Sequence, residues 1–349
     1  WARVEGKLAT GSATGYSAAG IVLEVGTGIE DIAPGDRIAC AGAQSAHHAE
    51  YIRVPRNLSV PIPDEVDFPA ASTVTLGAIA LQGVRRATPT LGECFVVIGL
   101  GILGQIVAQI LKANGCRVIG TDLNRERIKL AQSLGADYGV HPDDGEDAAQ
   151  VARLTDGWGA DGVIITAATP SDAVISTAFK MCRRKGRVVL VGDVGLHLNR
   201  EDFYQKEIDF LISTSYGPGR YDHNYEERGL DYPAAYVRWT ENRNMAEYLR
   251  LVADGKVKVA PLVSATFPVE QASAAYEALK TAGGKNLIVL LSYPQPVAPI
   301  SPLRVIPNPQ SKPAGSGKIR IGLIGAGDFA RAMHLPNMQA LSDRYHLQA

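Results

Sequence analysis

Three glycines and one acid carry the clearest chemistry in this chain. Gly99-Leu100-Gly101-Ile102-Leu103-Gly104 follows the apolar run Phe95-Val96-Val97-Ile98, and Asp122 closes a second run, Arg117-Val118-Ile119-Gly120-Thr121, 18 residues past the last glycine. Strand, glycine turn, helix, strand and acid in one short unit is the order that dinucleotide binding requires. Gly99 suits the tight turn, Gly101 lets backbone N–H groups approach a pyrophosphate at the positive helix end, and Gly104 lets the helix lie against the sheet. Leu100, Ile102 and Leu103 complete the turn. Asp122 is then expected to hold the adenosine ribose and to repel a 2′-phosphate, which favours NAD over NADP. Arg125 and Arg127 soften that preference, and Arg127 is placed to reach the ribose. Ala167 and Gly192, at the ends of the fourth and fifth expected strands, border the nicotinamide half.

A second polar concentration lies between Tyr216 and Arg243. Tyr216, Arg220, Tyr221, Asp222, His223 and Arg238 follow the last expected strand of the sheet, and ligands of such sheets bind outside the carboxyl ends of the strands. Hydride transfer needs a group that handles the alcohol proton or steadies an oxyanion. Tyrosine or histidine would act as acid or base, and arginine would hold a substrate carboxylate or phosphate. The same stretch also reads as a tyrosine-rich loop packed between domains or at a dimer contact.

The elements that must position these residues change texture along the chain. Residues 1–65 read as short β segments broken by turns such as Gly26-Thr27-Gly28 and Pro34-Gly35-Asp36. From Leu91, strands near 94–98, 117–121, 137–140, 162–166, 187–191 and 208–213 alternate with helices, a rhythm that makes an α/β doubly wound parallel sheet. Regular pattern resumes after 243, with a helix through Leu251, a strand near 262–266, a helix from Val269 to Leu279 and a strand at 287–291. Seven prolines from Pro294 to Pro313 mark a linker, and a new strand, Lys318–Ile324, runs into Gly325-Ala326-Gly327-Asp328-Phe329-Ala330, a second glycine turn. One strand and one helix cannot cover their own apolar faces, so the expectation is a second domain cut short. The divisions are 1–65, 66–215, 216–292, 293–317 and 318–349.

At 349 residues, 46% hydrophobic and 20% charged, the chain is long enough for a full core. A formal net charge of -1 gives no electrostatic case for nucleic acid or an anionic membrane, which points to a small-molecule substrate. Oligomerisation with copies of itself is left open. Cys40, Cys94, Cys116 and Cys182 stand apart, with no disulfide framework or zinc knot in their spacing. A cytoplasmic setting fits, since no apolar run reaches membrane-span length and Trp1-Ala2-Arg3-Val4-Glu5-Gly6 lacks a signal-peptide core. His47 and His48, read as strand neighbours, would point to opposite faces and could not share a metal.

Several stretches together resemble the medium-chain dehydrogenase/reductase superfamily: Gly20–Gly26, Pro34-Gly35-Asp36-Arg37-Ile38, Ala49-Glu50-Tyr51 with Val54-Pro55, the glycine turn itself, Leu134-Gly135-Ala136-Asp137 and Gly186–Gly192. The resemblance covers roughly residues 10–292 and implies a GroES-like β-barrel, here partial, with a Rossmann domain. Lys318 onward resembles the opening of the Gfo/Idh/MocA family, and the order of the two resembles bi-domain oxidoreductases. Zinc-dependent members carry Gly-His-Glu where this chain has Gly15-Tyr16-Ser17, and Thr75 stands where many place a further ligand. Tyrosine and threonine are not ordinary zinc ligands. The resemblance therefore implies a zinc-free, NAD(H)-dependent oxidoreductase acting on a sugar-derived or polyol-like molecule, with Tyr16 facing the same cleft. The competing readings are a zinc-free quinone or enone reductase, and a catalytically silent dinucleotide-binding module.

Overall fold

Cys94–Ile98 is buried along almost its whole length, and successive side chains enter different cores. Phe95 and Val97 pack into one cluster and Cys94 and Val96 into the other. A strand covered on both faces cannot alternate apolar with polar, which is why the sequence here is an unbroken apolar run. The computed structural model describes residues 14–281, 286–294, 317–325 and 327–348. The expected start at Trp1, most of the proline linker and Ala326 of the second glycine turn lie outside the described residues.

Three strands come first: β1 (Ser17–Ile21), β2 (Arg37–Ala41) and β3 (Ser59–Pro61), antiparallel in that order. They form a three-stranded sheet where a partial barrel is expected. Helix α1 (Val74–Ala87) leads into β4 (Cys94–Ile98), α2 (Ile102–Ala113), β5 (Arg117–Thr121), α3 (Arg125–Ser133), β6 (Tyr138–Val140), α4 (Asp147–Leu154), β7 (Ala160–Ile165), α5 (Ala173–Met181), β8 (Cys182–Leu190) and β9 (Asp209–Ile212). The six strands pair in parallel in the order β9-β8-β7-β4-β5-β6, with the chain reversing direction across the sheet between β4 and β7. That reversal opens a crevice at the carboxyl ends of β4 and β7. After β9 come α6 (Glu241–Ala253), β10 (Val263–Pro268), α7 (Ala272–Thr281) and β11 (Ile288–Ser292).

Four expectations need correction. His47 and His48 are not on a strand: the amides of Ser45 and Ala46 both turn back to the Gly42 carbonyl, and the chain bends there. The helix expected from Val269 begins at Ala272 after a tight turn, since Pro268 precedes it. Strand β8 starts at Cys182, five residues early, and its register against β7 shifts between Ala160 and Gly162. Residues from Gly317 on form a separate small unit, and it holds a second strand: β12 (Ile319–Gly322) pairs in parallel with β13 (Tyr345–Gln348) through α8 (Leu335–Ala340). A π turn at Ala330–His334 precedes Pro336, which has no N–H to give the ladder. Among the described residues no helix is long and apolar enough to cross a membrane, and all four cysteines are buried and free.

Candidate dinucleotide site and its surroundings

The glycine turn after β4 is built by close approaches that no side chain would permit. Gly99 has φ +90°, and a Cβ on it would stand 2.8 Å from the Ala167 backbone at the end of β7. On Gly104 a Cβ would be 1.9 Å from the Gly99 carbonyl oxygen, so α2 is seated directly on the turn. On Gly192, beyond β8, it would be 2.1 Å from the Ala167 carbonyl oxygen. Gly101 differs. It caps α2 in an extended conformation, φ −65°, and a Cβ there would meet nothing within 4 Å. Its open face lies at the positive end of a 12-residue helix, which suits an anionic diphosphate. Leu100 is fully buried, while Ile102 packs beside it against the core.

Asp122 follows β5. One carboxylate oxygen accepts from the Leu100 amide at 2.7 Å and the other from the Asn124 amide at 2.8 Å, and Arg127 lies 3.6 Å away. Asp122 thus joins the glycine turn to the start of α3, whose cap is the Asn124 side chain. Two more ties were missed by sequence reasoning. Thr166 donates to the Gly99 carbonyl at 2.5 Å, and the Gln105 amide donates to the carbonyls of Leu100 at 3.1 Å and Arg127 at 2.8 Å. The available signals were a hydroxyl ending the apolar run Val163-Ile164-Ile165 and a glutamine on the apolar face of α2. Neither one names its partner.

The six residues expected between Tyr216 and Arg238 differ in what their side chains meet. Tyr216 is 3% exposed with its hydroxyl enclosed, and burial pushes the phenol well above its ordinary range. Arg220 pairs with Glu226 at 2.5 Å and stacks over Tyr221. Asp222 accepts from the Asn224 amide and from the Tyr232 hydroxyl at 2.5 Å, and that bond with Tyr232 holds its carboxyl below the usual range. Arg238 stacks on Trp239, with Arg85 on the same ring. The Arg220, Asp222 and Arg238 side chains thus bond or stack within their own segment, while the Tyr216 hydroxyl has no protein partner. Tyr221 is 71% exposed, and His223 is exposed beside Glu227 at 3.0 Å. The segment is tied to α6 and to the turn before β3: the Asn244 amide donates to the Tyr216 carbonyl, and the Asn57 amide to that of Tyr225.

Around Tyr16 the hydroxyls face backbone. Thr75 donates to the Tyr16 carbonyl at 2.9 Å, while Ser17 donates to the Ser72 carbonyl at 2.6 Å and accepts from the Thr75 amide at 3.2 Å. Tyr16 is half-exposed, and desolvation raises its phenol. His48 packs against Gly15, so that a Cβ there would meet its ring at 2.8 Å.

Residues 103–229 match the family described as zinc-binding dehydrogenase. An alcohol dehydrogenase of Geobacillus stearothermophilus is 31% identical over 206 residues, 51% of this chain and 60% of that protein. Human sorbitol dehydrogenase is 26% identical over 307 residues, 79% of this chain and 78% of its own length. By these matches the chain is similar to zinc-binding and alcohol dehydrogenases. It spans 60% of the Geobacillus relative's length. In fold it is similar to the galactitol-1-phosphate dehydrogenase of Escherichia coli, with TM-score 0.66, 20% identity, and 78% of this chain and 82% of that chain covered. Against that relationship, the Tyr16, Ser17 and Thr75 side chains do not fit a zinc ion: two hydroxyls are committed to backbone and the third belongs to a poor ligand. Among the described residues no group of three or more His, Cys, Asp or Glu side chains is placed to hold a metal.

Proposed function

We propose that this protein is an NAD(H)-dependent oxidoreductase of the medium-chain type that transfers hydride to or from a sugar-derived or polyol-like molecule without a catalytic zinc. The observation that carries the cofactor is the joint of Gly99, Gly101 and Asp122: an open helix end for the diphosphate, and a fixed carboxylate one strand away for the ribose diol. When bound, the nicotinamide supplies the hydride-accepting carbon. The chain's own task is to orient it, with Gly192 and the single methyl of Ala167 leaving little side chain past the ends of β7 and β8. Related proteins named for sorbitol and galactitol-1-phosphate support a polyol-like substrate. Without a metal, a side chain must exchange the alcohol proton. Tyr16, half-exposed on the β1 side, and the exposed Tyr221 and His223 are the groups free to do so.

The test is a panel of polyols and sugar phosphates assayed with NAD and with NADP in the presence of a chelator, followed at the nicotinamide absorbance band. Turnover with NAD supports the reading. Binding of NADH with no turnover on any substrate favours a silent module instead.

The unit from Gly317 supports a second dinucleotide turn in the Gfo/Idh/MocA manner. It has a parallel β-helix-β order with Gly325 at φ +82° after β12. Two such sites on one chain would let an oxidation and a reduction cancel, as in an epimerisation. Following product and NADH together on candidate sugars with catalytic NAD tests this, and NADH accumulating with every turnover excludes it.

A further inference from the structure

Beyond the carboxyl end of β9, five buried polar atoms have no protein partner: both carboxyl oxygens of Glu241, the Tyr216 hydroxyl, Nε of Arg220 and the Ser213 hydroxyl. Glu241 is 0% exposed. Backbone bonds hold these residues in one region. The Glu241 amide donates to the Pro218 carbonyl at 2.8 Å, and the Asn244 side chain, on the same helix, donates to the Tyr216 carbonyl at 3.0 Å. The Arg220 guanidinium lies 5.3 Å from the Tyr216 ring centre, with its outer nitrogen committed to Glu226. An ionised carboxylate in that setting would be a buried charge without a counter-ion of its own, which is strongly disfavoured.

We propose that Glu241, a fully buried carboxyl with no protein partner, is a positioning residue for the dinucleotide reaction: it fixes the stretch Ser213–Gly217, which leaves β9 where the nicotinamide half of the cofactor docks. This rests on the NAD(H) reading above. The stretch is held from two sides. The Ser213 amide continues the sheet by donating to the Leu190 carbonyl at 2.9 Å, and Gly217, at φ +113°, turns against Asn244 and Gln82. Glu241 is tied through its amide to Pro218, the residue that follows this stretch. Ionisation would place its charge beside Glu226, loosen the packing under Tyr216 and so move the strand-end stretch.

The groups facing Glu241 are few. Arg220, Glu226, Tyr216, Tyr225 and Tyr232 reach it from its own segment. Of the elements packed on α6, α1 brings Arg85, which is engaged with Trp239 and Asn244, and the turn before β3 brings Arg56, which pairs with Asp31. Burial first, then repulsion from Glu226, pushes the Glu241 carboxyl up to about 9, against a smaller opposing pull from Arg220.

NADH affinity is to be measured by fluorescence titration from pH 7 to 10 for the unmodified protein, Glu241→Gln and Glu241→Ala, together with tryptophan emission of the cofactor-free protein, since Trp239 closes the segment. The expected result is that affinity of the unmodified protein falls about tenfold between pH 8 and 10, with emission shifting over the same range. Glu241→Gln, which cannot ionise, should match it at pH 7 and stay flat to pH 10. Glu241→Ala should bind more weakly at every pH, and if it fails to fold the Gln variant still decides. An unchanged alkaline fall in Glu241→Gln, or a flat profile in the unmodified protein, overturns the positioning role alone. A folded protein that binds no NADH at any pH overturns the dinucleotide reading as well.

Discussion

The Leu100 amide donates to Asp122 across 2.7 Å, so the acid expected to hold a ribose also fastens the turn expected to hold the diphosphate. A carboxylate offers about four acceptor positions. The amides of Leu100 and Asn124 take one on each oxygen, which leaves each oxygen a position for one hydroxyl of a ribose diol. The two halves of the cofactor site are thus mechanically one piece.

Replacing Asp122 by Ser should therefore weaken NADH binding by roughly tenfold to a hundredfold, from lost charged hydrogen bonds and a loosened turn. NADPH, freed from repulsion, should lose much less. Parallel titrations with both cofactors check this, and equal affinities in the unmodified, folded protein would sink the assignment of NAD.

Gly101 and Gly104 separate binding from folding. Gly104→Ala forces a Cβ to 1.9 Å from a carbonyl oxygen, and should destabilise the domain by about 2–4 kcal/mol. Gly101→Ala meets nothing and its φ of −65° is ordinary, so melting should change little. The methyl would instead project into the open space at the end of α2, and NADH affinity should fall at least about tenfold. Thermal melts with and without NADH distinguish the two, and an equal loss of melting temperature in both variants would refute the scheme.

The sheet and the glycine turn were legible because their signals are local. A strand buried on both faces must be an apolar run, and a turn this tight must be glycine. The Tyr216–Arg243 stretch was legible only as polar. Whether Asp222 meets substrate or caps a turn depends on Tyr232, and whether Arg238 points outward depends on Trp239 with Arg85 on its ring. Glu241, placed just after Thr240 at a helix start, reads as an ordinary favourable charge at the positive end. Only the fold reveals that the carboxyl is enclosed and meets no donor among the described residues.

Thr75 makes the zinc question measurable. Its hydroxyl is committed to the Tyr16 carbonyl, which also accepts from the Gly42 amide, so Thr75→Val should cost about 1 kcal/mol of stability by removing the first of these two bonds. Metal analysis of protein purified without chelator should find less than stoichiometric zinc, and activity should survive chelation. Stoichiometric zinc with activity lost on its removal would overturn the zinc-free proposal.

Glu241 also predicts how stability varies with pH. Its carboxyl ionises at about 9 in the folded chain against 4.5 for an unperturbed side chain. Between those values the unfolded chain has released the proton and the folded one keeps it, so each rise in pH favours unfolding. The contribution is most favourable below about 4.5, is lost progressively as pH rises to about 9, and is constant above. Glu241→Gln preserves the shape and removes the proton, and so lacks this slope. At pH 8 the variant should melt higher than the unmodified protein by several degrees, on the order of 4 °C or more. At pH 5 the two should nearly coincide. The difference between the two melting curves across pH 5–9 isolates this one group from all other titrations, and a difference that does not grow with pH would show that Glu241 is paired or hydrated in the folded protein.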